Sequence, residues 1–265
     1  MRVAALICAK GNSTRVPSKN RCVIAGKPLI QWAIEIGTKA KYIDDVYVST
    51  DCDLIKGIAE ENGAIVIDRP WQLAQHNSGG GSTKIHALKA IHDIRVNSNH
   101  KAKYDYMIDL WCTSPLVQSW QVDDAIEKFI NQNAMLQLTS VTNIKATELQ
   151  HIFIIDKRFH WMLSPTGLTD GLFSCISMLP MVKTNGAFGI YNPNVIDYDS
   201  LAPITEDSPF EWCDTVYFRA GERFAVDNNK MYGYAIDDIS ALDINTEDDI
   251  LMAEYFLNKR YGGKS

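Results

Sequence analysis

The sequence has no surplus of basic residues: 26 Lys and Arg stand against 32 Asp and Glu, for a formal net charge of −6. Broad binding to nucleic acid needs the opposite balance, because phosphates are neutralised by cationic side chains. No uninterrupted apolar run reaches the roughly eighteen residues that cross a bilayer as a helix. The apolar stretch VAALICA before Lys10 is also too short for the hydrophobic region of a secretion signal. The six cysteines (Cys8, Cys22, Cys52, Cys112, Cys175, Cys213) contain no CxxC pair and no zinc-ligand spacing, and the six histidines do not cluster with them. Reduced thiols in a cytoplasmic protein, away from membrane and nucleic acid, are the expectation. No repeat, low-complexity tract or linker breaks the 265 residues, so one domain over 1–265 is expected.

What is present is an alternation of strand-like and helix-like segments. Val3–Cys8 is a continuous apolar run of strand length, and Leu29–Ala40 has apolar residues at helical spacing after Pro28. Strand Asp45–Thr50, helix Asp53–Asn62 (stopped by Gly63), strand Ala64–Ile67 and helix Thr83–Ile94 follow. Strand Tyr106–Leu110, helix Gln121–Asn131 and strand Leu136–Val141 continue the pattern. Later, Asn185–Asn192 reads as a strand and Thr246–Lys259 as a helix with Thr246 at its N-cap and acidic residues in its first turn. Between about 143 and 184 the periodicity weakens; HIFIIDKRFHWML reads as a hairpin and SPTGLTDG as turn chemistry. Strands alternating with helices of this length predict an α/β fold with a mostly parallel sheet covered on both faces. Ligands of such sheets bind beyond the carboxyl ends of the strands, where the loops 9–20, 49–52, 68–83 and 111–116 would gather.

The first of these loops, within LICAKGNSTRVPSKN, sets three cations (Lys10, Arg15, Lys19) into one short segment of an acidic chain. It lacks the GK[ST] ending of a Walker A loop and the spacing of GxGxxG. It reads either as a solvated turn or as an anion site. In the second case backbone N–H groups around Gly11–Thr14 form the concavity, and Arg15 and Lys19 neutralise phosphates.

AKGNSTRVPSKN followed by GKPLIQWAI resembles the opening of the CMP-sugar synthetases, the cytidylyltransferases that activate sialic, nonulosonic and octulosonic acids. VSTDCDLIKGIAEENGA, DRPWQLA, STKIHAL, TSPL, NGAFGIY and ALDINTEDDILMAE resemble further motifs of that family in the same order, across residues 3–141 and 179–254. The resemblance implies a Rossmann-like domain of the nucleotide-diphospho-sugar transferase type, with an inserted hairpin region at 143–184 that makes a homodimer. It implies transfer of CMP from CTP to an acidic sugar, release of pyrophosphate and a need for Mg²⁺. By the same resemblance Arg15 and Lys19 are the catalytic cations. Ala9, Lys10, Gly11, Asn12, Ser13, Asn20, Arg69, Ser82 and Thr83 line the nucleotide, and Trp111, Thr113, Ser114 and Asn185 the acceptor. Asp243 and Asn245 are the metal candidates, because Mg²⁺ takes hard oxygen ligands and few protein carboxylates.

The departures from that family fall at the site. Lys10 stands where Arg is usual, which exchanges a fork of donors for a point charge. Trp111 and Cys112 replace Gln-Pro before TSP, so Trp111 either stacks on an acceptor or fills core space. His76 replaces an Asp, and Gly79–Gly81 read as a lid or as an ordinary flexible loop. Asn245 replaces the second Asp of a D-x-D pair, with Asp237 and Asp238 as possible compensation or as turn residues. Asp109 reads as a strand-end residue or a metal ligand. Lys183 is a weaker sugar-contact candidate. His151, His160 and Trp161 are expected to pack or to contact a partner subunit, and Cys8 and Cys112 to be structural.

Overall fold

In the computed structural model, residues 1–13, 15–75, 80–97, 103–131, 137–143, 182–191, 193 and 231–262 are described. Among them the strands are β1 (Val3–Cys8), β2 (Val23–Ile24), β3 (Lys27–Pro28), β4 (Asp45–Thr50), β5 (Ile65–Asp68), β6 (Tyr106–Leu110), β7 (Gln137–Asn143), β8 (Val182–Tyr191) and β9 (Met231–Ala235). The helices are α1 (Leu29–Lys39), α2 (Asp53–Glu61), α3 (Gly80–Asn97), α4 (Ser119–Asn131) and α5 (Glu247–Tyr261).

Seven strands form one sheet in the order β5-β4-β1-β6-β8-β7-β9. Among the described strands of this sheet only β8 opposes the common direction, pairing antiparallel with β6 and β7, whereas β4, β5, β6 and β9 pair parallel with their other neighbours. The expected mostly parallel α/β sheet is therefore present. Val3, Ala4, Ala5, Leu6 and Ile7 of β1 are all buried, which is why this central strand reads as a continuous apolar run rather than an alternating one. Its odd residues pack with α1, α2, α4 and α5 on one face; its even residues pack with Tyr47, Met107, Tyr191 and α3 on the other.

Local chemistry sets the ends. Gly63 takes φ 79° just beyond α2, the left-handed cap its sequence position predicts. At α5, Thr246 Oγ1 accepts from the Asp249 N–H at 3.2 Å and the Asp249 carboxylate accepts from the Thr246 N–H at 2.8 Å, a reciprocal capping box. Two elements escape sequence periodicity. The β2–β3 hairpin turns through Ala25 (φ 48°) and Gly26 (φ 81°), and strands of two residues carry no period. β9 is the other. Helix α3 begins at Gly80, so Gly80 and Gly81 belong to its first turn instead of to a free loop.

Because all sheet strands but β8 share one direction, the segments after β1, β4, β5, β6 and β9 emerge at one edge. The amino end of antiparallel β8 reaches the same edge, since the Trp111 N–H donates to the Ala187 carbonyl at 3.1 Å and residues 182–186 run beyond that point. The expected insertion at 143–184 lies outside the described residues, apart from Asn143 at the end of β7 and the first residues of β8.

Candidate active site

The loop after β1 is closed by its own hydrogen bonds. Ala9 N–H extends the β1–β4 ladder to the Ser49 carbonyl at 3.0 Å. Gly11 N–H donates to Asp51 Oδ1 at 2.9 Å, and a Cβ at Gly11 would lie 2.6 Å from the Cys52 Cβ. Glycine is required there by close approach. Of the N–H groups expected to form an anion concavity around Gly11–Thr14, that of Gly11 is engaged by Asp51, and Thr14 lies outside the described residues. Asn20 Nδ2 donates to the Lys10 carbonyl at 2.9 Å and ties the two ends of the loop. Lys10 and Ser13 are half-exposed, and Asn12 and Arg15 exposed.

The segment after β9 docks onto this loop. Lys19 is only 8% exposed, and its ammonium donates to the Ile244 carbonyl at 2.6 Å. Burial pushes the Lys19 pKa below the ordinary lysine value; Asp243 pulls it back up, and Arg15 lowers it further. Arg15 donates to Asn245 Oδ1 at 2.6 Å, and Asn245 Nδ2 donates to Asp243 Oδ2 at 2.7 Å. Asp243 Oδ1 is buried and has no hydrogen-bond partner. Ile244 N–H donates to the Thr113 carbonyl at 2.9 Å, which fastens the segment to the turn after β6. Arg15, Lys19, Thr113, Asp243 and Asn245 are thus brought together. Asp237 is not among them: its carboxylate accepts from Ile239 and Ser240 within its own turn and from the Gln121 amide on α4 at 3.3 Å. Burial alone would raise its pKa, but the bonds from Ser240 and Ile239 outweigh that and hold it low. Asp238 is exposed.

The other side of the edge is built from β5 and α3. Arg69 is 8% exposed, with its guanidinium on the Ser49 carbonyl at 2.6 Å and on Ser49 Oγ at 3.3 Å. Burial lowers its pKa. Thr83 Oγ1 donates to the Leu73 carbonyl at 3.2 Å, whereas Ser82 Oγ is buried with no partner. His86, one helical turn on, has a buried Nδ1 without a partner, and burial followed by the nearby Arg69 keeps its pKa low. A neutral imidazole and a hydroxyl on successive turns of α3 are therefore buried with unspent hydrogen-bonding capacity.

The acceptor candidates divide. Trp111 is 49% exposed, so its ring stands at the edge and does not fill the core. Cys112 behind it is buried, with its thiol pKa pushed up by that burial; Cys8 is exposed at the end of β1. Of those two cysteines only Cys112 is a core residue. Ser114 is buried, its N–H on the Trp111 carbonyl at 3.1 Å and its Oγ without a partner. Asn185 falls on β8, next to Thr184 opposite Val141; Lys183 lies on the same strand. Asp109 forms an ion pair with Lys84 and accepts from the Tyr191 hydroxyl at 3.2 Å, the engaged strand-end arrangement. Asp51, Lys84, His86 and the Ile244 carbonyl were not singled out as site groups, although VSTDCD, STKIHAL and ALDINTEDDILMAE contain them. His76, His151, His160 and Trp161 lie outside the described residues.

The profile of the cytidylyltransferase family matches residues 4–156, more than half of the chain. The chain belongs to the cytidylyltransferase family. A 3-deoxy-manno-octulosonate cytidylyltransferase of Bdellovibrio bacteriovorus is 31% identical over 150 residues, 57% of this chain and 55% of that protein. An N-acylneuraminate cytidylyltransferase of Streptococcus agalactiae is 24% identical over 253 residues, 95% of this chain and 52% of that protein. A pseudaminic acid cytidylyltransferase of Campylobacter jejuni is 31% identical over 137 residues, 51% of this chain and 57% of that protein. The chain spans about half the length of these curated cytidylyltransferases. Among solved structures, a CMP:2-keto-3-deoxy-manno-octonic acid synthetase complexed with CTP superposes with a TM-score of 0.67 at 16% identity, over 98% of this chain and 100% of that one. The likeness establishes the expected Rossmann-like fold.

Proposed function

We propose that this chain transfers CMP from CTP to a carboxylated keto sugar acid and releases pyrophosphate. One observation carries the reading: two cations, Arg15 and Lys19, are anchored on Asn245 and Ile244, the two residues that follow Asp243, whose Oδ1 is buried without a hydrogen-bond partner. The matched relatives are named for octulosonate, acylneuraminate and pseudaminic acid, which supports a sugar acid as acceptor.

The acceptor hydroxyl gives up its proton to solvent and its oxygen forms a bond to the α-phosphorus, as the bond from that phosphorus to the α,β-bridging oxygen breaks in line and pyrophosphate leaves with that oxygen. Such transfers depend on positioning and charge neutralisation. A lysine ammonium has three donors. One of those on Lys19 is spent on the Ile244 carbonyl, which aims the group and leaves the others for the departing pyrophosphate. Arg15 supplies a fork of donors from the exposed side. Ser82 and His86 offer the nucleobase hydrogen-bonding groups already desolvated, and Trp111 offers the acceptor a stacking face.

Mg²⁺ belongs to this reading, and the residues fit it sparingly. No group of three His, Cys, Asp or Glu side chains among the described residues is arranged to hold a metal, so Asp243 would be the protein's carboxylate and phosphate oxygens the remainder. When bound, Mg²⁺ supplies charge neutralisation on the phosphates and lowers the pKa of a bound hydroxyl. The described residues contain no helix long and apolar enough to cross a membrane. A cytoplasmic homodimer joined through 143–184 completes the proposal on the resemblance alone.

Pyrophosphate release measured with each of the four NTPs against a panel of sugar acids tests it. Turnover with CTP and a keto sugar acid is expected. Binding of CTP without turnover for any acceptor or metal sinks the reading. Turnover with another NTP or a non-sugar acceptor supports the second reading, a same-fold nucleotidyltransferase of different specificity, which the exposed Trp111 favours.

A further inference from the structure

Asn245 lies between a cation and an anion. Its Oδ1 accepts from Arg15 at 2.6 Å and its Nδ2 donates to Asp243 Oδ2 at 2.7 Å. The orientation of this amide follows from its partners, because a guanidinium only donates and a carboxylate only accepts. Its backbone is held as well: the Asn245 N–H donates to Asp249 Oδ2 at 2.9 Å, within the capping box of α5. Both ends of the side chain are therefore used, and its oxygen faces Arg15.

We propose that Asn245 is a positioning residue that presents Arg15 to the triphosphate, as a neutral bridge between that cation and Asp243. Two consequences follow from its neutrality. Arg15 is exposed, and without an anchor its long side chain would sample many rotamers; the Asn245 oxygen selects one. A carboxylate at the same place would add the attraction of opposite charges to the hydrogen bond and could take Arg15 as a bidentate ion pair, in competition with phosphate. It would also face Asp243 Oδ2 without a donor between them, a repulsive contact of two acceptors. An amide orders the arginine and still releases it.

The inference rests on the nucleotide reading above but is tested on the phosphates alone. Inorganic triphosphate is titrated calorimetrically, in EDTA, onto the wild-type chain and onto Asn245→Ala, Asn245→Asp, Arg15→Ala and the Arg15→Ala/Asn245→Ala double variant. Asn245→Ala is expected to weaken binding about threefold to fivefold, within the net contribution of one hydrogen bond. Asn245→Asp is expected to weaken it about tenfold or more, as Arg15 is drawn into a charged pair. In the Arg15→Ala background, Asn245→Ala is expected to change nothing, which a purely structural role would not produce. Unchanged affinity in Asn245→Ala, an Asn245→Asp variant that binds as tightly as the wild type, or an equal loss with and without Arg15 overturns the proposal. Absence of triphosphate binding by the wild type overturns it too. Triphosphate binding in this order without any preference for CTP would instead count against the cytidylyl reading and leave the role of Asn245 standing.

Discussion

Lys19 and Ile244 are 225 positions apart, and the ammonium of the first donates to the backbone carbonyl of the second at 2.6 Å in a buried contact. A backbone acceptor aims the charge without neutralising it. Burial lowers the Lys19 pKa and the nearby Asp243 limits the drop, so the cation is retained at some desolvation cost. That combination suits a group that must meet incoming phosphate.

Lys19→Met should abolish turnover and keep the fold. The substitution removes a buried charge and one hydrogen bond while preserving the aliphatic stem. A loss of about 10³-fold in kcat/KM is expected, the order seen when a preorganised charge-stabilising donor is removed. Pyrophosphate release and a thermal melt followed by circular dichroism check the two parts; retained activity would remove Lys19 from the chemistry.

The pH profile should carry an alkaline limb below the ordinary lysine range. Only the protonated ammonium neutralises phosphate charge, and the native pKa of Lys19 is lowered. The unfolded chain then holds that proton more tightly than the native one, so this group opposes folding below its native pKa. Stability from this source rises with pH between the native and the ordinary value. Lys19→Met should lack that rise in urea melts taken across the window, and a wild-type kcat/KM that stays flat to the ordinary lysine range would contradict the assignment.

Asp243→Asn should raise the Mg²⁺ concentration for half-maximal rate by roughly 10- to 100-fold, the equivalent of about 1.5–3 kcal/mol for an interaction with a charged group. CTP affinity in EDTA should change far less. An unaltered metal titration would exclude Asp243 as a ligand.

Gly11→Ala should destabilise the chain by about 1–3 kcal/mol, the usual cost of overpacking. The new Cβ would meet the Cys52 Cβ at 2.6 Å. Cys52→Ala keeps that carbon and should not rescue the variant, whereas Cys52→Gly should recover part of the loss in urea unfolding.

Trp111→Ala should leave stability within about 0.5 kcal/mol, as for most surface substitutions. Its ring is half in solvent. The KM for the sugar acid should rise several-fold while the KM for CTP holds, and equal changes in both would place Trp111 elsewhere than at the acceptor.

Much of the fold was legible because it is local. The strands at Val3–Cys8, Asp45–Thr50 and Tyr106–Leu110 fall where runs of buried apolar residues announce them, and the capping box at Thr246 and Asp249 needs only four consecutive positions. The loop with Lys10, Arg15 and Lys19 stood out for the same reason, as three cations gathered in an acidic chain. The rest required partners far along the chain. Nothing near Gly11 announces that Asp51 takes its N–H, and nothing near Asn245 announces that Arg15 and Asp243 share its amide. Asp109 is ambiguous in sequence until Lys84 and Tyr191 arrive from α3 and β8. Sequence alone determined the alternating elements, the cation-bearing loop and the family, since periodicity, caps and motifs are properties of neighbouring residues. Tertiary structure alone decided which donors are spent and which remain, because a hydrogen bond between distant residues exists only once the sheet order has brought their loops to one edge.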